Sequence, residues 1–226
     1  MITKTLVTNG AKVFITARKA NELNDAVKLL NGIAPGSAVG IQGDVSTDAE
    51  CKRIVSEVAK HTGKVHALFN NAGITWGGSM EEYQEQAWNK VNSVNVAAIF
   101  HLTRAFIPLL EAAATKDETA KVINVASIAG LSTSKFDNAY AYAASKAAVL
   151  ILTRTLAVQL SDKGISVNAI CPVSFIRSFL IVQLNFIFFL QGVFPSKMSK
   201  YFTDDDTRRE FALATIPLGK HKCILL

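Results

Sequence analysis

Tyr142 and Lys146 stand four residues apart in the run Tyr140-Ala141-Tyr142-Ala143-Ala144-Ser145-Lys146. The run is rich in alanine, lacks Gly and Pro, and continues into an apolar stretch from Val149 to Leu152, so it predicts a helix. On a helix, residues four apart share a face, which puts the phenol and the ammonium within mutual reach. A nearby ammonium stabilises phenolate and can bring a tyrosine toward the range where it exchanges protons usefully. Tyr140 is six residues from Lys146 and points to a different face, so Tyr142 is the partner. A Tyr-x-x-x-Lys pair alone is usually two surface neighbours. Here it follows, in order, Asn70-Asn71-Ala72-Gly73, then Asn95, then Ser127 at the end of the strand-like run Val122-Ile123-Asn124-Val125-Ala126.

The elements that must position these side chains alternate. Residues 1–9 read as the end of a helix with Gly10 as its stop signal. Strands are predicted at 12–17, 38–42, 65–69, 121–126 and 165–171. Helices are predicted at about 20–30, from a Ser46 or Thr47 cap toward His61, through Trp88, Asn95 and Phe106 to about 114, and around Tyr142. Strands alternating with long helices imply a parallel sheet with helices on both faces. Ligands of such sheets bind beyond the carboxyl ends of the strands. Arg18, Asp44, Asn71, Ser127 and Pro172 all fall at such ends and should converge on one rim.

At 226 residues, half of them hydrophobic and 19% charged, the sequence suits one α/β domain rather than a disordered chain. The formal charge of +6 comes from scattered Lys and Arg with no basic run, so no nucleic-acid partner is expected. Cys51, Cys171 and Cys223 form neither a disulfide framework nor a zinc pattern, and the four histidines lack ligand spacing. No metal is expected. No secretory signal is read at Met1-Ile2-Thr3-Lys4, and a cytoplasmic location is expected.

In order and approximate spacing, Asn70-Asn71-Ala72-Gly73, Asn95, Ser127, Tyr142 and Lys146 resemble the short-chain dehydrogenase/reductase family, over residues 10–219. The resemblance implies a Rossmann-like doubly wound parallel sheet and one NAD(P)-binding domain spanning 1–226. It implies a catalytic tetrad of Asn95, Ser127, Tyr142 and Lys146. Tyr142 would protonate a carbonyl oxygen as hydride arrives at carbon, and Ser127 would hydrogen-bond that oxygen. Lys146 would stabilise the phenolate and hold the nicotinamide ribose, and Asn95 would hold a water that refills the proton path. Arg18, Asp44, Val45, Asn71, Ala72, Gly73 and Pro172, together with Tyr142 and Lys146, would bind cofactor. A carboxylate at Arg18's place would suit NAD, whereas its charged fork suits a 2′-phosphate, so NADP(H) is expected over NAD(H). Asp44-Val45 would lie along the adenine, and Asn71-Ala72-Gly73 would press backbone against its ribose. Asn70 to Gly77, the Tyr140-Ala141-Tyr142 doublet and Phe194-Pro195-Ser196-Lys197-Met198 look closest to the rhamnolipid-pathway type of 3-oxoacyl-[acyl-carrier-protein] reductase and its fungal relatives. That suggests a 3-oxoacyl thioester or similar carbonyl substrate, with Phe194, Met198, Tyr201 and Phe202 lining an acyl channel or simply packing a lid. A homotetramer through the helices at 85–114 and 139–160 is also implied.

Three departures accompany the resemblance. The family opens with a strand and a Thr-Gly-x-x-x-Gly-x-Gly turn, and this sequence starts after that turn, so the sheet is expected to lose its centre. Strands 12–17 and 38–42 should then part from the rest, leaving unpaired edges. Residues 173–191 interrupt what would read Cys-Pro-Gly-Val-Phe-Pro-Ser-Lys-Met. They contain Arg177, Gln183 and Asn185, which argues against a membrane span and leaves a translated intron as the preferred reading over a lid insertion. Residues 221–226 also look like misread sequence, and Cys223 is not expected to be prenylated. These departures keep two rivals to a reductase in play. One is a catalytically incompetent product of a faulty gene model. The other is a nucleotide-sensing regulator on the same fold, ranked last because such proteins usually lack the tyrosine and lysine.

Overall fold

The computed structural model describes residues 2–132 and 138–172. Helix α1 (Ile2–Thr8) ends at Gly10, whose φ of 84° lies in the left-handed region that a side chain disfavours. It leads to β1 (Val13–Ala17), α2 (Ala20–Ile33) and β2 (Ala38–Gln42). Thr47 caps α3 (Asp48–Ala59), its side chain accepting a hydrogen bond from the Glu50 amide. Then come β3 (Ala67–Asn70), α4 (Glu85–Asn92), a π-helical segment (Ser93–Ala97) and α5 (Ala98–Glu111). The order closes with β4 (Ala120–Val125), a short 3₁₀ turn (Ile128–Gly130), α6 (Tyr140–Leu160), a second 3₁₀ turn (Ser161–Lys163) and β5 (Ile165–Ile170). The expected elements are all present, with α2 three residues longer than predicted and β3 two residues later at its start.

The strands pair in parallel but form two sheets, β1-β2 and β3-β4-β5. This is the expected parting: among the described residues, β1 pairs only with β2 and β3 only with β4. Of three buried side-chain atoms without a hydrogen-bond partner among the described residues, Thr16 Oγ1 and Asn70 Oδ1 sit on the two strands that border the break, and His101 Nδ1 lies on α5. What joins the sheets is apolar packing. Phe14 and Ile41 from the first sheet, with Val45 just after β2, share a core with Val122, Ile165 and Val167 from the second, through α3 residues Cys51, Ile54 and Val58 and α5 residues Leu102, Phe106 and Leu110. On the other face of β1-β2, Val7 and Leu30 from α1 and α2 pack on Val13 and Ala38.

The runs Glu85–Glu111 and Tyr140–Lys163 are long and apolar enough to cross a membrane by length and composition. In the structure both pack on the sheet, with Phe106 and Leu110 of the first and Leu156 and Leu160 of the second in the shared core. Residues 173–191, the lid positions Phe194, Met198, Tyr201 and Phe202, and residues 221–226 lie outside the described residues.

Candidate active site

Helix α6 buries Ser145, Lys146, Val149, Thr153, Leu156 and Leu160, a helical spacing that turns one continuous face to the sheet. Lys146 is therefore only 4% exposed, although its type belongs on a surface. Its Nζ donates to the carbonyl of Val125, the last residue of β4, at 2.6 Å. The same ammonium lies 5.6 Å from the centroid of the Tyr142 ring, so the two groups face each other as their spacing predicts. Tyr140 turns away and meets the edge of Tyr83, with ring centroids 5.3 Å apart.

Burial pushes the Lys146 ammonium from its ordinary 10.5 down to about 8, while neighbouring Cys171 works the other way. The Val125 carbonyl also favours the charged form. Because the unfolded chain keeps its lysine proton longer, stability should rise as pH climbs from about 8 toward 10.5, and be lost again as pH falls through 8. The contribution is about 3 kcal/mol. Burial raises the Cys171 thiol, which gives the opposite slope above its ordinary 9.0. Because the ammonium also acts on that thiol, the comparison is made in a Cys171→Ala background, which removes its slope. There, urea midpoints should show the protein with Lys146 gaining on Lys146→Met over this window; a constant difference would mean the lysine stays charged in the fold.

Ser127 follows β4 in extended backbone and caps the 3₁₀ turn, its Oγ accepting from the Ala129 amide at 3.2 Å. One hydroxyl hydrogen remains to donate elsewhere. The turn is held from two sides. The Ile128 amide donates to the Pro172 carbonyl at 3.3 Å, which ties the β4 and β5 ends together. Gly130 lies against the backbone of α6, so close that a Cβ there would sit 2.5 Å from the Lys146 carbonyl carbon and 2.6 Å from the Ala147 nitrogen. Gly130 escaped the sequence reading. Its only local signal is a glycine three residues after Ser127, and its partner is sixteen residues further along the chain.

Asn95 is wholly buried in the π segment, where the wider turn displaces one residue from the α-helical register. Its side-chain amide donates to the Ile74 carbonyl at 2.9 Å and to Ser145 Oγ at 3.0 Å, and its oxygen accepts from the Ile74 amide at 2.9 Å. The side chain thus pins the loop after β3 to α6. Ser145, unread in the sequence, passes the connection on by donating to the Tyr142 carbonyl at 2.7 Å. Gly73 completes the contact: a Cβ on it would lie 3.5 Å from Lys146 Nζ and 3.6 Å from Asn95 Oδ1. Asn71 and Ala72 are exposed beside it.

The other rim residues gather at the ends of β1 and β2. Arg18 and Asp44 approach to 4.0 Å, with the Arg18 side chain still 59% exposed. Lys90 of α4 reaches the same carboxylate at 3.8 Å and extends this cluster toward the Asn95 helix. Asp44 is held below the usual carboxylate range, its slight burial outweighed by hydrogen bonds from Ser46 and by the charges of Lys90 and Arg18. Val45, expected beside Asp44 along the adenine, has its side chain buried in the shared core, which leaves its backbone to face a ligand. A cavity of about 680 Å³ bordered by Arg18, Gln42, Asp44, Arg53 and His61 takes in this end of the rim but none of Asn95, Ser127, Tyr142 or Lys146.

Residues 1–180 match the family described as short chain dehydrogenase. The chain is 34% identical over 220 residues to a rhamnolipids biosynthesis 3-oxoacyl-[acyl-carrier-protein] reductase of Pseudomonas aeruginosa, covering 97% of this chain and 77% of that protein. Among solved structures it superposes on the RhlG/NADP active-site complex of Pseudomonas aeruginosa with a TM-score of 0.83 and 33% identity, over 98% of this chain and 78% of that one. A short chain dehydrogenase/reductase of Burkholderia phymatum in complex with NAD gives a TM-score of 0.66 at 31% identity, over 74% of this chain and 58% of that one.

Proposed function

The chain belongs to the short-chain dehydrogenase family, and from that premise we propose that it is an NADP(H)-dependent oxidoreductase that reduces a ketone to a secondary alcohol. The observation that carries this reading is the Lys146 ammonium held between the Val125 carbonyl and the Tyr142 ring, beside the bare backbone of Gly73. When bound, reduced nicotinamide dinucleotide supplies the hydride. Tyr142 gives its phenolic proton to the carbonyl oxygen, so negative charge does not accumulate there. Lys146 stabilises the phenolate left behind, and Ser127 orients the carbonyl oxygen through its remaining hydroxyl hydrogen. Asn95 fixes the loop that carries Gly73 against the helix that carries the lysine.

The residues present fit a dinucleotide at both ends. Lys146, facing the Tyr142 ring, offers a held ammonium for the nicotinamide ribose, and Arg18 presents an exposed guanidinium at the end of β1. Arg18 supports NADP(H) over NAD(H), because its fork matches a phosphate. Losing a charge-assisted contact of this kind costs about 1.5–3 kcal/mol, so Arg18→Ala should raise the KM for NADPH by roughly 10- to 100-fold and leave that for NADH nearly unchanged. Equal changes for both would make Arg18 a solvated turn residue.

The substrate in this reading is a 3-oxoacyl thioester, the class named for the Pseudomonas aeruginosa relative. The test is oxidation of NADPH by the 226-residue protein with a 3-oxoacyl thioester, beside a fluorescence titration of NADPH alone. Tight binding with turnover supports the reading, and failure to bind NADPH favours a catalytically incompetent product. The same reading makes the protein a cytoplasmic homotetramer built through the helices at 85–114 and 139–160. Phe100 on α5 and Ile151 and Val158 on α6 are exposed there.

A further inference from the structure

Below the rim, four polar side chains form a chain of hydrogen bonds through the apolar core. Asn70 at the end of β3 donates to Thr103 Oγ1 of α5 at 3.2 Å and to Asn124 Oδ1 of β4 at 2.8 Å. Asn124 donates in turn to Thr153 Oγ1 of α6 at 2.9 Å, and Thr153 donates to the Val149 carbonyl at 2.7 Å. Asn70 and Asn124 are directly opposed in the β3–β4 register, and all four residues are at most 6% exposed. None belongs to the proposed catalytic set, and apolar residues could fill the same space. Polar groups buried this deeply are costly unless satisfied, but they are directional where apolar contacts are not.

The placement of the chain matters. Because β4 and β5 are parallel and α6 connects them, α6 runs back along β4 in the opposite direction. From Asn124 to Ser127 along the strand is ~10 Å. From Thr153 to Lys146, seven residues back along the helix and on the same buried face, is also ~10 Å. The bond between Asn124 and Thr153 therefore holds α6 at the axial position that brings Lys146 level with Ser127 and its side chain within reach of the Val125 carbonyl. On the other side, Thr103 ties α5, the helix that continues from Asn95, to β3 through Asn70, which is bonded to Asn124 of β4.

We propose that Asn70, Thr103, Asn124 and Thr153 are positioning residues that set the register of the helices carrying Asn95, Tyr142 and Lys146 against the strand ending at Ser127. Its catalytic consequence rests on the reductase reading, but its first test does not. The side-chain carbon NMR signal of Lys146, in isotopically labelled full-length protein and assigned by its loss in Lys146→Met, reports how tightly that amine binds a proton. Thr153→Val and Thr153→Ala remove the hydroxyl and should let α6 slip. The lysine then becomes better solvated and its proton affinity rises by about tenfold. Thr153→Ser keeps the hydroxyl and should titrate like wild type. Leu156→Ala, a truncation on the same buried face that lacks a polar link, should lower stability without moving the titration. Where turnover is measurable, kcat should fall by about tenfold in the Val and Ala variants and recover in Ser. Wild-type titration in all three Thr153 variants would overturn the proposal, as would an equal shift in Leu156→Ala. If Val and Ala fail to fold while Ser folds, the brace serves folding alone, and the proposal is again overturned.

Discussion

Tyr142→Phe should lower kcat for ketone reduction by about 10²- to 10⁴-fold while leaving NADPH dissociation within a few-fold of wild type. The substitution removes one oxygen. The ring that faces the Lys146 ammonium at 5.6 Å remains, so the cation keeps its aromatic neighbour and α6 keeps its packing. What disappears is the proton donor at the carbonyl oxygen, and no other residue described around Lys146 can replace it: Ser127 is a far weaker acid and already caps its turn. Steady-state rates and an NADPH titration on the same preparation separate the two effects. A variant that turns over at the wild-type rate would remove Tyr142 from the mechanism and leave the pair as a structural contact.

Gly130→Ala should be almost as damaging, by a different route. The added methyl would meet the Lys146 carbonyl carbon, the Lys146 carbonyl oxygen and the Ala147 nitrogen at 2.5–2.7 Å, and helix backbone cannot rotate away as a side chain can. The 3₁₀ turn must lift from α6, which costs about 1–3 kcal/mol and carries Ser127 away from Lys146. A misplacement of about 1 Å at such a site can cost 10²-fold in rate. Urea denaturation and kcat should therefore fall together. Gly73→Ala is the contrast for stability: its methyl would meet Lys146 Nζ and Asn95 Oδ1 at 3.5 and 3.6 Å, which is ordinary contact, so the urea midpoint should barely move. Equal destabilisation by the two substitutions would refute the close-contact argument.

The sequence made local features readable. Thr47 caps α3 because a threonine side chain can reach an amide three residues on, and β2 begins and ends where an apolar run between turn residues says it should. The pairing of Lys146 with Tyr142 rather than Tyr140 followed from helical spacing alone. Features set by distant partners were not readable. The π turn around Asn95 accompanies hydrogen bonds to Ile74 and Ser145, twenty-one and fifty residues away. Gly130 acquires its importance only when α6 folds back on it. The burial of the Val45 side chain likewise depends on α3 and α5 residues far along the chain. The polar chain from Thr103 to Thr153 looked like ordinary strand and helix composition, since no local pattern distinguishes a buried threonine that accepts a hydrogen bond from one that merely fills space.

The break between β1-β2 and β3-β4-β5 has a consequence for how the two ends of a dinucleotide would be gripped. Arg18 rides on a two-stranded raft, and a lone pair of strands has little cohesion of its own. Its mooring to the larger sheet is mainly greasy contact through α3, with exposed ion pairs such as Lys90–Asp44 beside it, and this tolerates sliding far more than a ladder of backbone bonds does. The span from the phosphate-selecting cation to the proton-donating phenol thus crosses a junction without backbone bonds between strands, and tightness at one end need not be transmitted to the other.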